Sequence, residues 1–391
     1  MPGIIKERLY TPGPTPLLME AQARTLTATL HHRTEGFRRL MKETLENLRY
    51  YFNTKNDVLI FASSGTGAME GSLSNLLSPG ERVLVGTAGK FGERWGQIAK
   101  AYGIEAVTVE VPYGQTIPIA EMGERLKKDG PFRAVFIQAT ESSTGVRNDV
   151  EALAALVREY PETCLVVDAI TGLGTTDLRP DDWGLDVVIG GSQKATMIPP
   201  GLAFASVSEK AWKVMARAKL PRYYFDFAKE RKNLAQGESS FTPATTLVVA
   251  LHTTLNYIHE LGRENLVANA ELLAEAARAA AQALHLKLFA ASNPASAVTA
   301  INAPEGMDSG LIVKEIRNRF GAIITNGQGT MKGKIFRLAH LGYYDFLDLI
   351  SVITALEIAL VKLGHKIELG AGVRAAEEVY LQAGKASGAA G

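Results

Sequence analysis

The strongest constraint on this chain is a repeated pairing of short Val- and Ile-rich runs with helical patterns. Arg82-Val-Leu-Val-Gly, Glu105-Ala-Val-Thr-Val, Ala134-Val-Phe-Ile-Gln, Leu165-Val-Val-Asp, Asp186-Val-Val-Ile-Gly and Ala203-Phe-Ala-Ser-Val read as strands. Helical spacing lies between several of them, near 66–78, 91–102, 119–129 and 149–159. Strands apolar on both faces and joined through helices predict a mainly parallel α/β sheet covered on two sides. Residues 1–18 contain Tyr-Thr-Pro-Gly-Pro-Thr-Pro and read as an extended arm that is not a packed element. A large α/β domain follows over 19–252. From about 243 the pattern changes, with long helical stretches at 243–261 and 264–284. Strands near 297–303, 322–326 and 334–339 and helices near 309–319 and 344–363 then predict a smaller C-terminal α+β domain over 253–380. Residues 381–391 are expected to be a disordered tail, because Lys385-Ala-Ser-Gly-Ala-Ala-Gly391 has nothing to bury.

Charge and cysteine usage exclude several function classes. Lys and Arg number 42 against 41 Asp and Glu, a net charge of +1, so no global field favours nucleic acid or an anionic membrane. The single cysteine, Cys164, cannot form an internal disulfide or build a Cys-rich metal site. Its place in Thr-Cys-Leu-Val-Val reads as a small buried hydrophobe. The seven histidines show no metal-binding spacing, and no metal is expected. Nowhere do 18 apolar residues run together, and the start has no signal-peptide pattern. A cytoplasmic enzyme is the expectation.

The chemistry centres on Lys194, in Gly190-Gly-Ser-Gln-Lys194-Ala-Thr-Met-Ile-Pro-Pro, just past an apolar strand. An amine held there away from bulk water has a lowered pKa and serves as a nucleophile near neutral pH. Asp168 ends another strand, Cys164-Leu-Val-Val-Asp168. Sites in open α/β sheets lie beyond the C-terminal strand ends, so the two residues converge. A Schiff-base lysine and an aspartate for the pyridine nitrogen are what pyridoxal 5'-phosphate asks of a protein. Ser63-Ser64-Gly65-Thr66-Gly67 follows the apolar Val58-Leu-Ile-Phe-Ala and opens a helix, offering N–H groups and hydroxyls to a phosphate. A capped helix start with no ligand is the plainer reading of that segment alone. Arg337, in Lys334-Ile-Phe-Arg-Leu-Ala-His340, is a guanidinium in an apolar strand. It requires either an internal acid or a substrate carboxylate.

Taken in order, these segments resemble the class V (fold type I) PLP-dependent aminotransferases, closest to the alanine–glyoxylate and serine–pyruvate (serine–glyoxylate) branch. Thr11-Pro-Gly-Pro-Thr-Pro, Ser64-Gly65-Thr66 with Glu70, Glu141-Ser-Ser-Thr-Gly-Val146, Val167-Asp168-Ala-Ile-Thr-Gly-Leu-Gly, Gly191-Ser-Gln-Lys194, Phe241-Thr-Pro-Ala-Thr and Phe336-Arg337-Leu carry the likeness. It implies a sheet of the seven-stranded type, with the cofactor covalently held by Lys194 and its ring nitrogen met by Asp168. Ser64, Gly65, Thr66 and Gln193 would hold the phosphate, aided by Thr242 from a neighbouring subunit of a homodimer. Ser142 would lie near the ring, with Ile170 and Phe91 against its two faces. Arg337 would take the substrate α-carboxylate, with Gly13 also at the substrate. Two departures stand out: Phe91 replaces a tryptophan frequent in the branch, and Ser239 and Ser240 stand where a tyrosine is often found.

The activity implied is ping-pong transfer of an amino group from alanine or serine to glyoxylate or pyruvate. Phosphoserine or aminoethylphosphonate transamination is an alternative, because His32 and Arg33 would suit a substrate anion. A non-catalytic partner subunit of the soluble-hydrogenase-associated kind is another.

Overall fold

The computed structural model describes residues 4–27, 30–290 and 292–388. Its centre is a seven-stranded sheet. From one edge to the other run Asp57–Phe61, Ala203–Val207, Val187–Gly191, Cys164–Asp168, Ala134–Gln138, Arg82–Thr87 and Glu105–Glu110. Ala203–Val207 is antiparallel to both neighbours, whereas the strands from Val187–Gly191 to Glu105–Glu110 pair in parallel. The expectation of a mainly parallel sheet holds, with this one reversal. The inner strands are buried on both faces, as their unbroken apolar runs require.

The helices expected between strands form as Gly65–Leu76, Lys90–Ala101, Ile119–Asp129 and Val150–Val157. Lys90–Ala101 buries Trp95, which stacks on Phe136 of the central sheet at 4.3 Å between ring centroids. That contact fixes which way the start of this helix faces, and so where Phe91 and Arg94 point. Two further helices, Met19–Thr27 and Glu35–Phe52, pack against Thr245–Leu261.

The smaller unit holds the helices Arg263–Ala283, Ser309–Phe320, Phe346–Lys362 and Ala371–Gly388. They accompany an antiparallel sheet ordered Val298–Asn302, Ile335–Ala339, Thr325–Asn326. It has its own core around Leu273, Ile312, Phe336 and Leu356. Position 252 lies inside the helix Thr245–Leu261, whose Leu251, Leu255 and Ile258 belong to the large core. The change of core therefore comes beyond Gly262, where φ is +89° between two helices. The helix Ala371–Gly388 covers much of the segment read as a tail, and residues 389–391 lie outside those described.

The N-terminal arm is packed, contrary to the expectation from its Pro and Gly content. Arg8–Leu9 pairs in parallel with Ala322–Ile323, and the Tyr10 N–H donates to the Ile323 carbonyl at 2.8 Å. Farther along, the Leu18 N–H reaches the Met197 carbonyl at 3.0 Å. Main-chain hydrogen bonds to both units, together with the buried side chains of Tyr10 in the smaller core and Leu18 in the large one, hold a segment whose composition signals only a loop.

Candidate active site

Lys194 occupies a loop that the sequence ties down at several points. Gly190 has no room for a side chain, since a Cβ there would lie 2.9 Å from Leu173 and 3.0 Å from Phe52. The hydroxyl of Ser192 accepts the Leu202 N–H at 3.0 Å and donates to the Pro199 carbonyl at 2.8 Å, pinching the loop shut. Thr15 of the arm donates its hydroxyl to the Lys194 carbonyl at 2.9 Å. The amine donates to the Pro12 carbonyl, and a Cβ on Gly13, at φ +134°, would overlap that nitrogen. Gly13 therefore borders the Lys194 amine. Burial lowers the pKa of Lys194 from 10.5 to about 8; Asp168 opposes the shift, while Arg337 and Arg94 add to it.

Asp168 is buried at the end of its strand, and the Ile170 N–H donates to its Oδ1 at 2.9 Å. Burial raises its pKa from 3.8 to about 6, with the Ile170 N–H, Arg94 and Lys194 pulling the other way. Two strand ends thus bring a poised amine and a desolvated carboxylate within each other's field. The buried acid gains most from a cation placed beside it.

Ile170 leans over the helix start. A Cβ on Gly65 would overlap its side chain, and one on Gly191 would lie 3.4 Å from it and 3.3 Å from Gln193 Oε1. Ile170, Gly65 and Gln193 therefore face one space, and the buried Gln193 Oε1 has no hydrogen-bond partner there. A flip of that amide turns its NH₂ donor into the same space. Ser64 caps the helix with no side-chain bond, which leaves first-turn N–H groups free of it. Donors of this kind suit a phosphate.

Arg337 is buried in Ile335–Ala339 and meets main-chain carbonyls, not an acid. Its guanidinium donates to Ser142 at 2.8 Å and to Asn326 at 2.9 and 3.3 Å. Among the described residues no carboxylate forms an ion pair with it, and burial lowers its pKa to about 10. A buried, unpaired guanidinium beside the amine is a site for an anion.

Thr242 does not join this group within its own chain. It is exposed and borders a separate hollow with Ala62, Tyr224 and Phe241. His32 and Arg33 lie on the turn before the helix Glu35–Phe52, where the two rings of His31 and His32 stack at 4.5 Å.

Two residues to which the sequence pattern assigns no role belong to the group. Arg94 donates to the Thr66 hydroxyl at 3.2 Å and lies 5.0 Å over the Phe91 ring. Its spacing of three from Phe91 on one helix is the signal that could have found it. Glu141 stands within one of the motifs that carry the family likeness, and a carboxylate buried as it is must find donors.

Comparison with known proteins shows the family. Residues 18–341 match the family model described as Aminotransferase class-V. The soluble hydrogenase 42 kDa subunit of Anabaena cylindrica is 43% identical, over 96% of this chain and 99% of that protein. The serine–glyoxylate aminotransferase of Methylorubrum extorquens is 32% identical, over 96% of each chain. The crystal structure of an aspartate aminotransferase of subgroup IV from Thermus thermophilus superposes with a TM-score of 0.85 at 34% identity, covering 91% of this chain and 99% of that one. With its sheet, its strand-end lysine and its buried acid, this chain belongs to the class V aminotransferase family.

Proposed function

We propose that this protein is a pyridoxal 5'-phosphate-dependent transaminase that moves the amino group of alanine or serine to glyoxylate or pyruvate. The observation that carries the proposal is the pairing of the Lys194 amine, at a pKa of about 8, with the buried Asp168 carboxylate. When bound, the cofactor supplies an aldehyde for the amine and a ring that accepts electrons from the substrate α-carbon. Lys194 then serves as the base that moves the α-proton. Asp168 holds a positive ring nitrogen, Phe91 and Ile170 enclose the ring, and Arg337 orients the substrate through its α-carboxylate. Ser64, Gly65, Thr66 and Gln193 hold the phosphate. With this reading go a homodimer, in which Thr242 of the partner subunit completes the phosphate site, and a cytoplasmic location.

One observation favours a second donor class. Arg94 has no ion-pairing carboxylate among the described residues, and the Thermus thermophilus relative is named for aspartate. On that reading aspartate is the donor, and Arg94 meets its second carboxylate. The test is to mix the protein with L-alanine, L-serine, L-aspartate and phosphoserine in turn, with glyoxylate or pyruvate as acceptor. The cofactor's visible absorbance and the oxo-acid product are followed. Faster turnover of alanine or serine supports the first reading, and faster turnover of aspartate supports the second. A spectral response to none of the four sinks both. The relative named as a hydrogenase subunit suggests a partner role without catalysis, and a protein that takes up no yellow cofactor would favour it.

Uptake of the cofactor by the metal- and ligand-free protein is expected to depend on pH through Lys194. The protonated amine has no lone pair, so the rate should rise as pH increases and reach half its limit near pH 8. Stopped-flow absorbance measures it, and a rate constant flat between about pH 7 and 9 would count against Lys194 as the nucleophile.

A further inference from the structure

One buried carboxylate lies between the elements assigned to the cofactor ring and to the substrate, and transamination gives it no task. Glu141 has 0% exposure. Its Oε2 accepts the N–H groups of Phe91 at 3.1 Å and Gly92 at 2.9 Å, in the first turn of Lys90–Ala101. No intrahelical acceptor exists for those donors. Its Oε1 accepts the Ser143 hydroxyl at 2.6 Å and the Ser143 N–H at 3.2 Å. The residue between them, Ser142, gives its carbonyl to Arg337 at 2.8 Å. One side chain therefore joins the start of the helix that carries Phe91 to the turn that holds the guanidinium. The joint is tight: a Cβ on Gly89 would lie 2.7 Å from Glu141 and 2.5 Å from the Ser143 hydroxyl.

We propose that Glu141 is a positioning residue that keeps Phe91 and Arg337 in register, so that ring stacking and carboxylate binding are set together. This deepens the transaminase reading and rests on it. The electrostatic setting agrees. Burial raises the pKa of Glu141 to about 7, with Asp168 adding to the rise and the hydrogen bonds from Ser143 and Gly92 opposing it. The charged and titratable groups around it are Asp168 from the neighbouring strand end, Arg337 from the smaller unit and Tyr113 from the loop after Glu105–Glu110. Lys90, at the same helix start, is paired with Glu93 at 2.6 Å. Above pH 7 the carboxylate accepts from both elements. Below it, protonation removes acceptor capacity from one of them and the register loosens.

The test compares wild type with Glu141→Gln, whose amide offers an acceptor to one element and opposes the other with a donor. The donor KM of the variant is expected to rise about tenfold or more, with a smaller change in kcat. In wild type, kcat/KM for the donor should fall as pH drops through about 7, and the variant should lose that limb. Ser143→Ala, which removes the hydroxyl that donates to Glu141 and accepts the Lys90 N–H at 3.1 Å but leaves the Phe91, Gly92 and Ser143 N–H bonds to Glu141, should raise KM in the same direction by less. Hydrogen exchange at the Phe91 and Gly92 amides should quicken in Glu141→Gln while the central strands stay protected. An unchanged KM and pH profile would overturn the proposal, as would a loss of thermal stability with the acid limb intact. If wild type turns over no donor, the transaminase reading has failed by itself. Exchange at Phe91 and Gly92 then decides: no quickening relative to wild type overturns the role of Glu141.

Discussion

Replacing Lys194 with alanine is expected to end transamination, lowering kcat by at least about 10³-fold, because in the proposed mechanism one side chain supplies both the nucleophile and the base. Loss of fold will not explain the result. Moving the pKa of an amine from 10.5 to about 8 opposes folding by on the order of 3 kcal/mol. The sign follows from the lowered value. Below pH 8 the amine is protonated in both states and the folded state bears the full cost, which fades as pH rises towards 10.5. The variant without cofactor should therefore melt at the same temperature as wild type or higher at pH 7, and lose that advantage near pH 10. Borohydride reduction of the cofactor-loaded wild type followed by peptide mapping should label position 194, and the variant should carry no label. A variant that retains turnover within tenfold of wild type, or a label elsewhere in wild type, would refute the assignment.

The parts of this site that are legible in the sequence are those built from local rules. Val187–Gly191 and Cys164–Asp168 are unbroken apolar runs, so their ends, and with them Lys194 and Asp168, can be located from the order of residues alone. The reversal of Ala203–Val207 is not legible, because apolar strands read alike in either direction. Neither is the docking of the arm. Gly13 reaches Lys194 through hydrogen bonds from Tyr10, Thr15 and Leu18, and main-chain partners leave no mark on side-chain pattern. Arg337 illustrates the same point: its holders are the carbonyls of Ser142 and Asn326, which no search for an acidic partner would find. Thr242 is expected to act from a second subunit, so nothing within one chain draws it towards Lys194.

Replacing Asp168 with asparagine is expected to lower kcat by about 10²- to 10³-fold while leaving the protein folded, since a neutral amide cannot hold a positive ring nitrogen. The effect should appear in kcat more than in donor KM, because the proposed site for the donor's carboxylate is Arg337, not Asp168. Two further readouts separate this from a general disturbance of the site. Asp168 raises the pKa of Lys194 against burial, so its removal should move the midpoint of cofactor uptake below pH 8. The stability of the cofactor-free protein should also change with pH in a defined direction. The folded-state pKa of Asp168 is raised, from 3.8 to about 6, so its charge opposes folding above pH 6 and ceases to do so as pH falls towards 3.8. The variant should thus be the more stable protein at pH 7, and the difference should close by about pH 4. With cofactor added the order should reverse, because wild type gains the attraction between the carboxylate and the ring nitrogen and the variant does not. Thermal melts at pH 4 and 7, with and without pyridoxal phosphate, test the whole chain of reasoning. A variant that gains as much stability from the cofactor as wild type does would show that Asp168 is not its counter-charge.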